Sequence, residues 1–203
     1  MRKLGVFEFV TLDGVMQAPS GPEEDRRGGF EHGGWVMPYL DEVAASVGLE
    51  GMAASGGLLL GRVTYEGMAA YWPSAPAEDP FAEGINNLPK FVVSTTLQEP
   101  LAWNNSRLIK GDIAEEVAKL KQQPGKDLGI LGSGELVHTL MQDNLIDEYR
   151  LLVFPIVLGS GKRLFRDGGP TTALRLVDTK TTSTGVVILT YQPAESNKGN
   201  YHG

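Results

Sequence analysis

Twice in this chain an apolar run stops at a glycine and a helix begins at once. The stretches are Leu58-Leu59-Leu60-Gly61-Arg62-Val63-Thr64-Tyr65-Glu66 and Leu128-Gly129-Ile130-Leu131-Gly132-Ser133-Gly134-Glu135-Leu136. Strand, tight turn and helix in that order, repeated, imply a mostly parallel sheet with helices on both faces. The first N–H groups of each helix have no partner within the helix, so each turn is also a place for an anion. In a parallel sheet both turns fall on one edge, the edge where ligands bind.

The remaining elements fit around these two. Leu4–Thr11 reads as a central strand, with Val6, Glu8 and Val10 on one face and Phe7, Phe9 and Thr11 on the other. Residues 17–34 are rich in Pro, Gly and charge, and so form a long loop of the kind that covers a site. Leu40, Val43, Ala44 and Val47 have helical spacing. A short helix over Thr64–Tyr71, a loop over 72–87, a strand over Lys90–Thr95 and a short strand over Arg107–Lys110 follow. Asp112-Ile113-Ala114-Glu115 opens a helix as a capping box, and Pro124-Gly125 ends it. A helix over Gly134–Asp143 precedes a strand over Glu148–Val157. Residues 174–179 and 185–191 form a final antiparallel hairpin, and 193–203 is a polar tail. One domain over residues 1–192 accounts for the rest.

Totals exclude several classes. At 203 residues, 41% hydrophobic and 21% charged, the chain suits one globular domain. With no cysteine there are no disulfides and no thiolate chemistry; a cytoplasmic location is expected. A net charge of −7 argues against a nucleic-acid partner, and no apolar run is long enough to span a membrane. The three histidines, His32, His138 and His202, have no metal-site spacing, so no metal is expected. There is no nucleophile elbow and no P-loop. What remains is a small anionic ligand held by a few local groups.

Those groups can be named. Arg62 is a candidate phosphate partner, Gly61 allows close backbone approach, and Thr64 is a candidate helix cap and donor. Gly132-Ser133-Gly134 is the second phosphate turn, though it lacks the third glycine of the full dinucleotide fingerprint. Ser94-Thr95 ends a third strand on the same edge. An NAD site would put an acid there for the ribose; hydroxyls beside Arg62 favour a 2′-phosphate and hence NADP(H). Asp13, in an Asp-Gly turn at the mouth of the first strand, is the candidate proton donor. Glu8, a carboxylate in an apolar strand, is a candidate for a shifted pKa. Each has a plain structural alternative: a solvated arginine, a polar strand end, an ordinary turn, a paired buried acid.

The order of these motifs resembles the dihydrofolate-reductase-like fold, and in particular the RibD C-terminal domain family, the reductase half of the riboflavin-pathway deaminase/reductase. Thr11-Leu12-Asp13-Gly14, Leu60–Glu66, Gly132–Leu136, and Pro155–Gly161 with Leu164-Phe165 carry the resemblance. It implies an α/β sheet of about eight mainly parallel strands with an antiparallel C-terminal hairpin. It also implies an NADPH site built from Val10, Gly61, Arg62, Val63, Thr64, Ser94, Thr95, Leu131, Gly132, Ser133, Gly134, Glu135 and Leu136, with the long loop closing over the nicotinamide. Thr11, Trp35 and Asp41 fall on the substrate side. The implied activity is reduction of a small heterocyclic or ribosylated substrate, as 5-amino-6-(5-phosphoribosylamino)uracil is reduced in the riboflavin pathway, in a homodimer. Two positions depart from the pattern. Leu40 stands where dihydrofolate reductases carry their pterin-binding acid after Trp-x-x-Pro, with Asp41 one step further on. Ser133 replaces the second glycine of their Gly-Gly pair. Two rivals follow: a non-catalytic nucleotide- or pterin-binding homodimer, and a scaffold whose turns are only structural.

Overall fold

The computed structural model describes residues 1–194. Eight strands form one sheet: β1 (Leu4–Thr11), β2 (Leu58–Gly61), β3 (Lys90–Val93), β4 (Ser106–Ile109), β5 (Leu128–Leu131), β6 (Glu148–Phe154), β7 (Leu174–Thr181) and β8 (Val187–Pro193). Their order is β4-β3-β2-β5-β1-β6-β8-β7. Strands β1 to β6 are mutually parallel, and β8 and β7 add antiparallel at one edge. Five α-helices connect or follow the strands: α1 (Glu42–Ala54), α2 (Arg62–Tyr71), α3 (Ala82–Asn87), α4 (Ile113–Gln122) and α5 (Gly134–Gln142).

Alternation along β1 divides the core. Leu4, Val6 and Val10 join Leu59, Ile130 and the inward stripes of α4 and α5, Val117, Leu120, Leu136, Val137 and Leu140. On the opposite face Phe7 and Phe9 pack with Trp35, Ala44, Val47, Leu152 and Phe154. Leu58, Leu60, Tyr65, Ile85 and Trp103 fill the part under α2 and α3.

Several boundaries differ from expectation. Helix α2 starts at Arg62, two residues early, so Gly61 rather than Thr64 is its N-cap. Residues 82–87, read as loop, form α3; two of its residues, Ala82 and Ile85, bury against the core despite the proline-rich surroundings. Strand β3 stops at Val93, before Ser94 and Thr95. Leu40 lies before α1, which begins only at Glu42, and is exposed; within the helix Ala44 and Val47 form the buried side and Val43 is exposed. The expected tail begins later than 193: Pro193 closes β8, and the Ala194 N–H donates to the Ala173 carbonyl. Residues 195–203 lie outside the described part.

Candidate functional site

The chain leaves the central strand pair in opposite directions. After β1 it crosses to β2, beyond β5; after β5 it crosses to β6, beyond β1. This is the topological switch point of an open α/β sheet, where a crevice forms outside the carboxyl ends of the strands. The crevice is deepened by unequal lengths. Strand β5 ends at Leu131 opposite Phe7, whereas β1 stays paired with β6 as far as Thr11–Phe154. Residues Glu8 to Thr11 therefore have no strand neighbour on the β5 side.

The two glycine turns meet beside this gap. The Gly61 N–H donates to Ser133 Oγ at 3.0 Å, and the Ser133 N–H donates to Thr64 Oγ1 at 3.0 Å. Ser133 Oγ in turn donates to the Leu131 carbonyl at 3.1 Å. Thr64 thus joins the turns from inside α2, in place of the capping role expected of it. Gly132 and Ser133 are both left-handed, with φ of 55° and 58°, and the peptide between them is trans. A Cβ on Gly132 would meet Thr64 at 3.1 Å, so the close approach needs glycine. Helices α1 and α4 are capped by Asp41 and Asp112, whereas α2 and α5 begin without a side-chain cap. Two uncapped N-termini lie side by side and leave their first N–H groups for water or a ligand. Arg62, at the first of them, is half exposed and pairs with Glu66 at 2.9 Å. Glu135, in the first turn of α5, pairs with Arg166 at 2.7 Å.

The long loop lies over this region. Buried Gln17 donates to the carbonyls of Asp25 and Arg27 and accepts from the Lys162 N–H. Trp35 Nε1 donates to the Gln17 carbonyl at 2.8 Å. Asp25 first, and the Glu66 charge on α2 in addition, favour the charged form of Arg27. Met16 covers the start of α5: a Cβ on Gly134 would meet its sulfur at 2.7 Å.

The residues expected on the substrate side are engaged within the protein. Every side-chain polar atom of Thr11, Trp35 and Asp41 has an internal partner. Thr11 Oγ1 donates to Asp13 at 2.6 Å and accepts from the Val15 N–H at 2.9 Å. Trp35 is buried against Phe154. Asp41 caps α1 through the Val43 and Ala44 N–H groups and accepts from the Ser183 N–H and hydroxyl.

Asp13, the expected proton donor, is engaged as an acceptor. Its carboxylate accepts from the Thr11 hydroxyl and from the Leu158 and Gly159 N–H groups, and sits 3.6 Å from Arg163. The Thr11 hydroxyl first, then the Gly159 and Leu158 N–H groups, pull its pKa down to about 2. Asp13 clamps the end of β1 to the loop after β6. Its folded-state pKa is below the ordinary 3.8, so its contribution to stability is complete above that value and is lost as pH falls toward 2. Asp13→Asn should therefore lower the melting temperature at neutral pH and shrink the acid-side loss. Thermal melts of both proteins across the acid range check this; parallel pH curves would refute it.

Ser94 is buried, and its hydroxyl accepts from the Thr96 and Leu97 N–H groups in a local turn; Thr95 is exposed. Val10 is buried on the gap-facing strand, and Val63, Leu131, Gly134 and Leu136 flank the joined turns. A surface cavity of about 560 Å³ lined by Glu99, Leu101, Trp103 and Asn105 lies elsewhere, near the start of β3. Among the described residues no three His, Asp or Glu side chains converge as a metal site requires, and no helix is long and apolar enough to cross a membrane.

An open sheet with paired, uncapped helix starts at its switch point defines an α/β protein with a candidate anion site outside the carboxyl ends of its strands. Within that class the chain belongs to the RibD C-terminal domain family, whose model matches residues 2–188. It is 38% identical over 191 residues to the uncharacterized protein YyaP of Bacillus subtilis, covering 90% of each chain. A protein of Shewanella sp. PV-4 assigned to riboflavin biosynthesis has the same fold, with a TM-score of 0.71, 23% identity and coverage of 95% of this chain and 99% of the other. Dihydrofolate reductase from Enterococcus faecalis, solved with NADP(H), aligns with a TM-score of 0.59, 14% identity and coverage of 95% and 97%. The fold is dihydrofolate-reductase-like.

Proposed function

We propose that this protein is an NADPH-dependent reductase that transfers hydride to a small heterocyclic or ribosylated substrate. The observation that carries the proposal is the pair of uncapped helix starts tied together through Ser133, Gly61 and Thr64. Two sets of unpaired N–H groups and a nearby arginine suit a diphosphate. The fit is supported by Gly132, whose lack of a side chain keeps the cradle open. Bound there, the dihydronicotinamide would supply the hydride. The chain's own work is to hold the phosphates, orient the ring toward the β1 gap and exclude water beneath residues 17–34. The residues just after β3, Ser94 and Thr95, carry hydroxyls and no carboxylate, and β3 ends beside Gly61, the residue before Arg62, which favours a 2′-phosphate. We take the enzyme to act as a homodimer in the cytoplasm on a small-molecule partner. Exposed Leu176 and Val177 on edge strand β7 support self-association.

Titration with NADPH and NADH, read by nicotinamide fluorescence, tests the proposal. NADPH should bind more tightly; equal or absent binding would overturn it. Arg62→Ala should weaken NADPH by about tenfold, the worth of one charge-assisted hydrogen bond, and weaken NADH less. A second reading is favoured by the internal engagement of Asp13 and Asp41: a nucleotide- or pterin-binding homodimer without catalysis. Tight NADPH binding with no oxidation by any carbonyl or imine acceptor would select it.

A further inference from the structure

Glu8 is the one carboxylate of the gap-facing strand, and the cradle described above does not use it. It is 4% exposed, and its Oε2 is buried without a hydrogen-bond partner. The β1–β5 register ends at Phe7–Leu131, so its next step sets Glu8 beside Gly132, at the point where β5 gives way to the glycine turn. Alternation puts its side chain on the α5 face with Val6 and Val10. Its neighbours are backbone N–H groups of Phe9 and Gly132 and, across from the long loop, the carboxylate of Glu24. No cation compensates it among the described residues: Arg62 on α2 pairs with Glu66, Arg150 on β6 lies nearest Glu148, and Arg166 beside α5 pairs with Glu135. A buried carboxylate facing another acid and no cation has its neutral form favoured. Burial first, and Glu24 in addition, push its pKa well above the ordinary range, against the pull of the two N–H groups.

A neutral carboxyl at an anion cradle is a donor, whereas an ionised one is a competitor. We propose that Glu8 is a binding residue of the nucleotide site whose protonated carboxyl donates to the diphosphate, so that nucleotide binding is coupled to proton uptake and weakens as pH rises. The proposal rests on the nucleotide-binding reading and adds the residue that makes binding pH-dependent. No bond is made or broken in this step; one proton passes from solvent to Glu8 when the ionised form binds.

Calorimetric titration of the full chain with NADPH, in buffers of different ionisation enthalpy, measures the proton directly. Comparing the wild type with Glu8→Gln cancels the titration of the cofactor's own 2′-phosphate. Expected is an uptake approaching one proton at alkaline pH in the wild type, with affinity falling by up to about tenfold per pH unit there. Glu8→Gln should bind as the wild type does at low pH and lose both effects. Should that variant not fold, the infrared band of the protonated carboxyl in the wild type, labelled at glutamate, must shift when NADPH is added. Binding without extra proton uptake, or no shift of the band, overturns this inference alone. No binding of NADPH at any pH overturns the nucleotide reading together with it.

Discussion

Gly132→Val should lower NADPH affinity by on the order of 100-fold, the loss of two charge-assisted hydrogen bonds. Two constraints act at this position. The backbone is left-handed, with φ of 55°, which a β-branched residue rarely adopts. A Cβ would stand 3.1 Å from both Thr64 Cγ2 and Oγ1. Thr64 Oγ1 accepts the Ser133 N–H, so any retreat of Thr64 breaks the tie between the turns. The starts of α2 and α5 then separate, and their N–H groups no longer converge on one ligand. Strain adds a stability loss of about 1–3 kcal/mol. Fluorescence titration reads the affinity, and circular dichroism melts show that the fold survives. Unchanged affinity in a folded variant would mean that the turns do not act together on a ligand.

Phe154→Ala should destabilise the protein by about 3–5 kcal/mol, the usual cost of emptying a large aromatic site in a closed core. Phe154 has no exposed surface. Three rings meet it edge to face: Trp35 at 5.3 Å, Phe9 at 5.6 Å and Tyr39 at 6.1 Å. These come from the long loop, from β1 and from the turn before α1, so no single neighbour can move to fill the space. Denaturant unfolding with an unchanged slope is the measurement. A loss below about 1 kcal/mol would place Phe154 outside the rigid core. The same variant should loosen the loop over the crevice, since Trp35 anchors it through Gln17. Faster amide exchange across residues 17–34 would report that change.

Much of the architecture was legible because it is local. Val6, Phe7 and Phe9 alternate along one strand, Val117 and Leu120 share a helical stripe, and glycine at 61 and 132 ends each strand where a helix must begin. Backbone geometry and burial dictate these features within a few residues. Helix α3 was missed because its six residues carry too short a pattern to outweigh the prolines around it. The two glycine turns were also legible, as sequence order alone sets them on the same edge of a parallel sheet. Glu8 showed as a lone carboxylate in an apolar strand. Nothing near it in the chain reveals that the register sets it beside Gly132.

Polar side chains were a different matter. Asp13, Thr11 and Asp41 looked free in the sequence and are bound in the structure. The partners of Asp13 at Leu158 and Gly159, and those of Asp41 at Ser183, lie more than 140 residues away. Sequence by itself determined the strand–turn–helix order, and with it the family and the edge of the sheet on which the two glycine turns meet. Only the tertiary structure decided which hydroxyls and carboxylates are engaged, because a polar atom is satisfied by whatever the fold brings within 3 Å, and that distance has no counterpart along the chain.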